Sequence, residues 1–292
     1  MHTRRQFLAT AAGTAVIAGT TPGADTAGSP LKFRLGIVTY NIAANWDLPT
    51  LLRILQQTKI SAVEFRTGHK HGVEPSLSAE QRKDVRRRCQ DAGVAIWGCG
   101  TTCEFHSPDK AEVEKQIETC KRFVQLVHDL GGRGVKVRPN GLPRGVPVEK
   151  TLEQIGKSLI PCGRAAADAG LEIFVEVHGN GTQKPANMKA IMEHCGHSPV
   201  GVCWNSNAED VKNGSVQESF ALLNPWIKSC HINELYKDAA GVYPYRELFR
   251  LLRESGYDRV TLCEVGKTPK TEDDGAEILR YYKALWTELT RV

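Results

Sequence analysis

The sequence predicts an α/β protein of the (β/α)8 TIM barrel class, and three observations carry that expectation. From residue 33 onward, eight short runs rich in β-branched and apolar residues alternate with eight helix-like segments. No stretch rich in Pro, Gly or Ser divides the chain after Pro30, so residues 31–292 read as one domain. No G-x-G-x-x-G follows the first strand, which argues against an open doubly wound sheet.

Taken in order, the first strand spans 33–40 and feeds a helix over 48–58. The second strand, 62–66, precedes a helix over 78–92; Ser78 and Gln81 have capping-box spacing at its start, and Gly93 marks its end. The third pair is 95–100 with 109–130, closed by Gly131. In the fourth, 134–138 with 148–169, Leu152, Ile155, Leu159 and Cys162 form the apolar stripe that packs a helix on a sheet, and Gly170 follows. The next three pairs are 171–177 with 186–195, 200–204 with 216–227 and 228–232 with 245–255; Gly196 and Gly256 end two of these helices. The eighth pair, 259–265 with 273–289, completes the count.

Composition agrees. The 292 residues are 41% hydrophobic, 24% charged and 7% aromatic, values that exclude collagen, long disorder, a coiled coil and a polytopic membrane protein. A domain of roughly 250 residues buries about three quarters of its unfolded surface, so size alone demands no disulfides. The nine cysteines include no CxxC pair, and Cys99, Cys203, Cys230 and Cys263 lie in apolar runs as small buried hydrophobes.

Residues 1–30 stand apart from the barrel. Thr3-Arg4-Arg5-Gln6-Phe7-Leu8, followed by an Ala/Gly/Thr-rich apolar run over 9–19, resembles a twin-arginine export signal, and 20–30 reads as a small polar linker. That run is shorter than the roughly 20 strongly apolar residues of a membrane span. The resemblance implies export by the twin-arginine route, to the periplasm or the outer face of the cytoplasmic membrane. No transmembrane span is expected once the leader is removed. Loss of residues 1–27 removes Arg4, Arg5 and Asp25, which lowers the formal net charge from +5 to +4.

In a barrel of this class chemistry gathers at the C-terminal strand ends. There the sequence places His69 and His71 after strand two, Glu104 and His106 after strand three, and Lys136 on strand four. Glu176 and His178 end strand five, Asn205 strand six, His231 strand seven and Glu264 strand eight. Glu176, Asn205, His231 and Glu264, from four neighbouring strands, compose a cage for one divalent metal ion: two carboxylates neutralise the charge, and mixed N/O ligands suit Mn, Mg, Co, Fe or Zn. Carboxylates so deep in apolar runs need a compensating cation, the alternative being pairing to Lys136, Arg138 or Lys267.

This set of strand ends resembles the xylose isomerase-like TIM barrel superfamily, particularly its sugar phosphate isomerase/epimerase branch, over residues 33–290. The shared pattern is a Glu-x-His at strand five, here Glu176 and His178, an acid at strand six, a His at strand seven and a Glu at strand eight. Two positions depart: Asn205 stands where the family has Asp, and Ala208 where it often has a substrate-binding His. The resemblance implies a metal-dependent sugar isomerase or epimerase in which Glu176 and Glu264 both ligate metal and move protons next to a carbonyl of a ketose-like or inosose-like substrate. It also implies a cationic substrate contact at Lys237. His178 shares a strand face with Glu176 by the period of two and is expected to bind or orient substrate. His69, His71, Glu104, His106 and Lys136 are expected on the pocket wall, with Trp46 and Trp204 as candidate stacking surfaces.

Rival readings are a metal-dependent lyase or dehydratase acting on a keto-sugar or keto-glycoside, an endonuclease-like phosphodiesterase, and a non-catalytic carbohydrate-binding protein. The basic run at 83–88 lies on an expected helix and reads as a solvated face, so no nucleic-acid partner is expected. The expected partner is a small-molecule carbohydrate, with a homo-oligomer left open.

Overall fold

The computed structural model describes residues 31–291, so the leader expected over 1–30 lies outside the described residues. Eight strands follow one another around a closed parallel barrel: β1 Arg34–Val38, β2 Ala62–Arg66, β3 Ala95–Glu104, β4 Gly134–Arg138, β5 Glu172–Glu176, β6 Val200–Trp204, β7 Ile227–Ile232 and β8 Val260–Cys263. β8 pairs back onto β1 through four registered residues from Arg34 to Ile37. The crossovers are α1 Leu48–Thr58, α2 Ala79–Asp91, α3 Lys110–Leu130, α4 Val148–Asp168, α5 Pro185–Cys195, α6 Gln217–Leu223, α7 Tyr245–Glu254 and α8 Glu272–Leu289. This is the (β/α)8 barrel that the alternation predicts.

Local chemistry explains the boundaries. Asp47, Ser78, Asp109 and Thr271 cap α1, α2, α3 and α8 by accepting hydrogen bonds from first-turn N–H groups, and Ser78 with Gln81 forms the full capping box. The sixth helix differs from its expected span of 216–227. It ends at Leu223, and a 3-10 turn covers Asn224–Trp226, because Pro225 lacks the N–H that would continue the α-helical ladder. β3 runs four residues past its expected end, to Glu104, through a register irregularity against β4 that Thr101 Oγ1 bridges by donating to the Lys136 carbonyl at 2.8 Å.

Side chains alternate along each strand between the helix layer and the barrel interior. Inside, Trp97 and Phe174 stack with centroids 5.5 Å apart and planes within 10°, surrounded by Val38, Ala62, Cys203, Val260 and Leu262. Gly134 makes room for this plug, since a Cβ there would sit 2.7 Å from the Phe174 ring. The indole N–H of Trp97 donates to Ser229 Oγ at 3.0 Å. All nine cysteines are free and buried. Trp46 and Trp204 are buried as well; Trp204 donates to Tyr243 Oη and packs on Phe220, so neither is a stacking surface. Among the described residues no helix is long and apolar enough to cross a membrane.

Candidate active site

Two residues further along six of the strands, the inward positions change chemistry. Ala62 gives way to Glu64, Gly134 to Lys136, Phe174 to Glu176, Cys203 to Asn205, Ser229 to His231 and Leu262 to Glu264. The period of two fixes this succession, so the polar layer forms at the C-terminal strand ends. A cavity of about 310 Å³ opens above it, and Glu176, Asn205 and Glu264 line its floor.

His231 lies at the centre and is fully buried. Its Nδ1 is 3.5 Å from Glu176 Oε1 and 3.4 Å from Glu264 Oε2, while Nε2 is 3.2 Å from Glu64 Oε1. Burial disfavours the imidazolium, but Cys203, Glu64 and Glu264 override it and hold the His231 pKa well above the ordinary value. Glu176 is equally enclosed: Lys136 Nζ donates to its Oε2 at 2.6 Å and Asn205 Nδ2 to its Oε1 at 3.2 Å. Burial alone would raise the Glu176 carboxyl; Lys136, reinforced by His231, holds it well below the usual range.

These contacts correct one expectation. Glu176 does not depend on a metal for compensation, because Lys136, which lines the cavity as expected, supplies a buried counter-charge. A metal nevertheless fits the remaining atoms. One ligand atom each from Glu176, His231 and Glu264 lie within 4.8 Å of one another. Two buried atoms beside them, His231 Nδ1 and Asn205 Oδ1, have no hydrogen-bond partner. Asn205 Oδ1 is a buried acceptor left unsatisfied, which is costly, and a divalent cation would answer it while displacing the proton from His231 Nδ1, which the two carboxylates otherwise hold there. Asn205 thus keeps the oxygen that its acidic counterpart would offer.

The other expected residues divide. His178 lines the cavity, and its Nδ1 contacts Asn140 Oδ1 at 3.0 Å. Asn140, in the left-handed region at φ 57°, donates in turn to Glu104 Oε1 at 2.6 Å. Glu104 also pairs with Arg138, so it braces the wall from behind. His106 sits 3.9 Å from Glu104 and is not among the lining residues. His71 also lies away from the lining: Val73 N–H donates to its Nδ1, its Nε2 contacts the Arg66 carbonyl at 3.1 Å, and its ring packs on Phe65. Burial pushes its pKa down to about 4. Lys237 is held at 3.0 Å by Glu234 and does not line the cavity.

Two residues escaped the sequence reading. Glu64, 1% exposed, grips the far nitrogen of His231; Arg66, two positions on, lines the cavity. Both share the inward parity of Ala62, and a carboxylate inside the run Ala-Val-Glu-Phe-Arg is the signal that could have found them. Gly100 on the neighbouring strand gives them space: a Cβ there would lie 2.6 Å from Glu64 Oε1 and 3.5 Å from Arg66 Cδ.

Comparisons with known proteins agree with this architecture. A search of curated proteins gives no match. Among solved structures, an L-ribulose 3-epimerase superposes with a TM-score of 0.74 at 17% identity, covering 88% of this chain and 94% of that one. The 3-keto-D-glucoside 4-epimerase of E. coli gives 0.70 at 13%, covering 88% and 100%. A Mycobacterium smegmatis protein solved in complex with magnesium gives 0.61 at 17%, covering 88% and 98%. At these identities the likeness establishes the shared fold. A family model described as Xylose isomerase-like TIM barrel matches residues 52–284, most of the barrel, and the chain belongs to that family.

Proposed function

We propose that this protein is a metal-dependent sugar isomerase or epimerase that moves a proton next to the carbonyl of a ketose-like or inosose-like substrate. The observation that carries the reading is the convergence of Glu176, Glu264 and His231 within 4.8 Å, beside a buried Asn205 Oδ1 left without a hydrogen-bond partner. Glu176, Asn205, His231 and Glu264 would hold the ion, and Glu64 would fix the ring of His231 through Nε2. A bound divalent ion supplies Lewis-acid polarisation of a carbonyl. The chain's own groups do the rest. Glu264, the more open carboxylate, lines the cavity and takes the proton; Glu176, held ionised by Lys136 and with its other oxygen beside Asn205 and His231, is the second proton-transfer group. His178, Asn207 and Asn233 line the walls as hydrogen-bonding partners for sugar hydroxyls. The epimerases that share the fold support this assignment. The leader-like residues 3–19 support export by the twin-arginine route, which a fusion to an export reporter tests.

Elemental analysis of the purified chain should find about one divalent ion per chain, lost in Glu176→Gln and His231→Ala. Solvent deuterium should enter a ketose or inosose at the carbon beside the carbonyl, and the same substitutions should slow it roughly 10³-fold. A parent protein without metal would overturn the reading.

A further inference from the structure

Among the described residues, charge pairing around the cavity is complete except at one. Lys136 faces Glu176, Arg138 faces Glu104, and Lys237 at the rim faces Glu234. Arg66 faces no carboxylate within 4.0 Å among the described residues. Its Nη1 donates to the carbonyl of its own neighbour Thr67 at 2.9 Å, and its guanidinium carbon lies 5.9 Å from the centroid of the Tyr40 ring, another cavity residue. These contacts and the space left by Gly100 hold the fork in place without answering its charge.

The surroundings sharpen the imbalance. Burial first, and the Arg138 charge second, weaken the hold of Arg66 on its proton, while Glu176 and Glu264 act in the other direction. Those two carboxylates are the ones assigned above to a divalent ion. Once they serve it, Arg66 is left as a half-buried guanidinium beside a second arginine. An arginine in such a position matches the fork geometry of a carboxylate or a phosphate.

We infer that Arg66 is the recognition point for an anionic group on the substrate, so that the preferred sugar is an acid, a carboxylate- or phosphate-bearing keto-sugar rather than a neutral one. The anionic group would sit on the Arg66 and Tyr40 side of the cavity, with the reacting carbons toward Glu176 and Glu264. The inference rests on the epimerase reading for the reaction, but the charge selectivity can be measured as binding alone.

The test uses the full chain supplied with Mg2+ or Mn2+ and three probes on one ketohexose skeleton: D-tagatose, D-tagatose 6-phosphate and D-tagaturonate. Isothermal titration calorimetry should give at least one charged probe a roughly ten- to hundred-fold lower Kd than D-tagatose, the range expected of a charge-assisted bidentate contact. Whether the phosphate or the carboxylate gains decides between the two anions. Arg66→Ala should weaken the preferred acid far more than the neutral sugar, and Arg66→Lys, which keeps the charge and loses the fork, should restore part of the difference. Equal affinity for all three probes, no binding of any, or an acid preference that survives in Arg66→Ala overturns the inference. Deuterium exchange measured in parallel reports on the epimerase reading separately. Acid-selective, Arg66-dependent binding without exchange would sink that reading and leave the anion site standing.

Discussion

The lower interior of the barrel is an apolar plug in which Trp97 stacks on Phe174; further along the barrel strands, Glu64, Lys136, Glu176 and His231 are just as deeply buried and carry charge. The two layers share strands, register and burial, and differ in what holds them. The plug is held by removal of apolar surface from water, which is non-directional and tolerant of its partners. The upper layer is held by mutual compensation, in which each charge depends on a specific neighbour and the loss of one strands another. A fold that keeps such a layer spends stability on a constellation that packing alone would not select.

Substitutions in the two layers should therefore fail in different ways. The largest effects are on stability. Phe174→Ala should cost about 3–5 kcal/mol by emptying the plug, and added divalent cation should recover little of it. Lys136→Met should cost a similar 3–5 kcal/mol by leaving Glu176 unpaired, but here divalent cation should restore much of the loss. Urea denaturation with and without metal separates the two cases, and an identical metal response in both variants would erase the distinction. Glu64→Gln is milder. It preserves shape and removes the charge beside His231 Nε2, so metal affinity should fall roughly 10–100-fold, and the metal-free melting temperature should fall less than in Lys136→Met because Glu176 and Glu264 still face His231 Nδ1.

The smallest expected effect concerns pH. Asp210, just past Asn205 and Asn207, accepts hydrogen bonds from Asn207 N–H and Tyr243 Oη, yet burial raises its pKa to about 8. A carboxyl raised in the folded state above its unfolded value near 3.8 stabilises the fold most at low pH. Its contribution is lost as pH climbs toward 8 and is level beyond. The urea midpoint should accordingly fall between pH 6 and 8, and Asp210→Asn should flatten that slope. An unchanged slope in the variant would remove Asp210 as its source.

Much of the barrel was legible because each unit repeats a two-period strand and a 3.6-period helix, signals that survive without tertiary context. The departures have local causes, such as Pro225 ending α6 early. The strand-end carboxylates and His231 were legible because polar residues interrupt otherwise apolar runs. Partnership was harder to read. Nothing in the sequence says that Lys136 turns to Glu176, that Glu104 braces Arg138, or that His71 packs under the Arg66 carbonyl, because each pairing joins residues on different parts of the chain through barrel closure. Glu64 and Arg66 were overlooked because alternation of charged and apolar residues also describes an ordinary half-solvated strand, and only closure turns that face inward.

Gly100 gains a wider meaning from this arrangement. The hydrogen atom that replaces its side chain leaves room at once for Glu64 beneath the floor and for the stem of Arg66 on the wall. Any larger residue at that position would disturb the support of His231 and the unanswered guanidinium together, so the two properties are mechanically linked through one missing methyl group. Attempts to redesign substrate preference from this strand would therefore disturb the support of His231 as well.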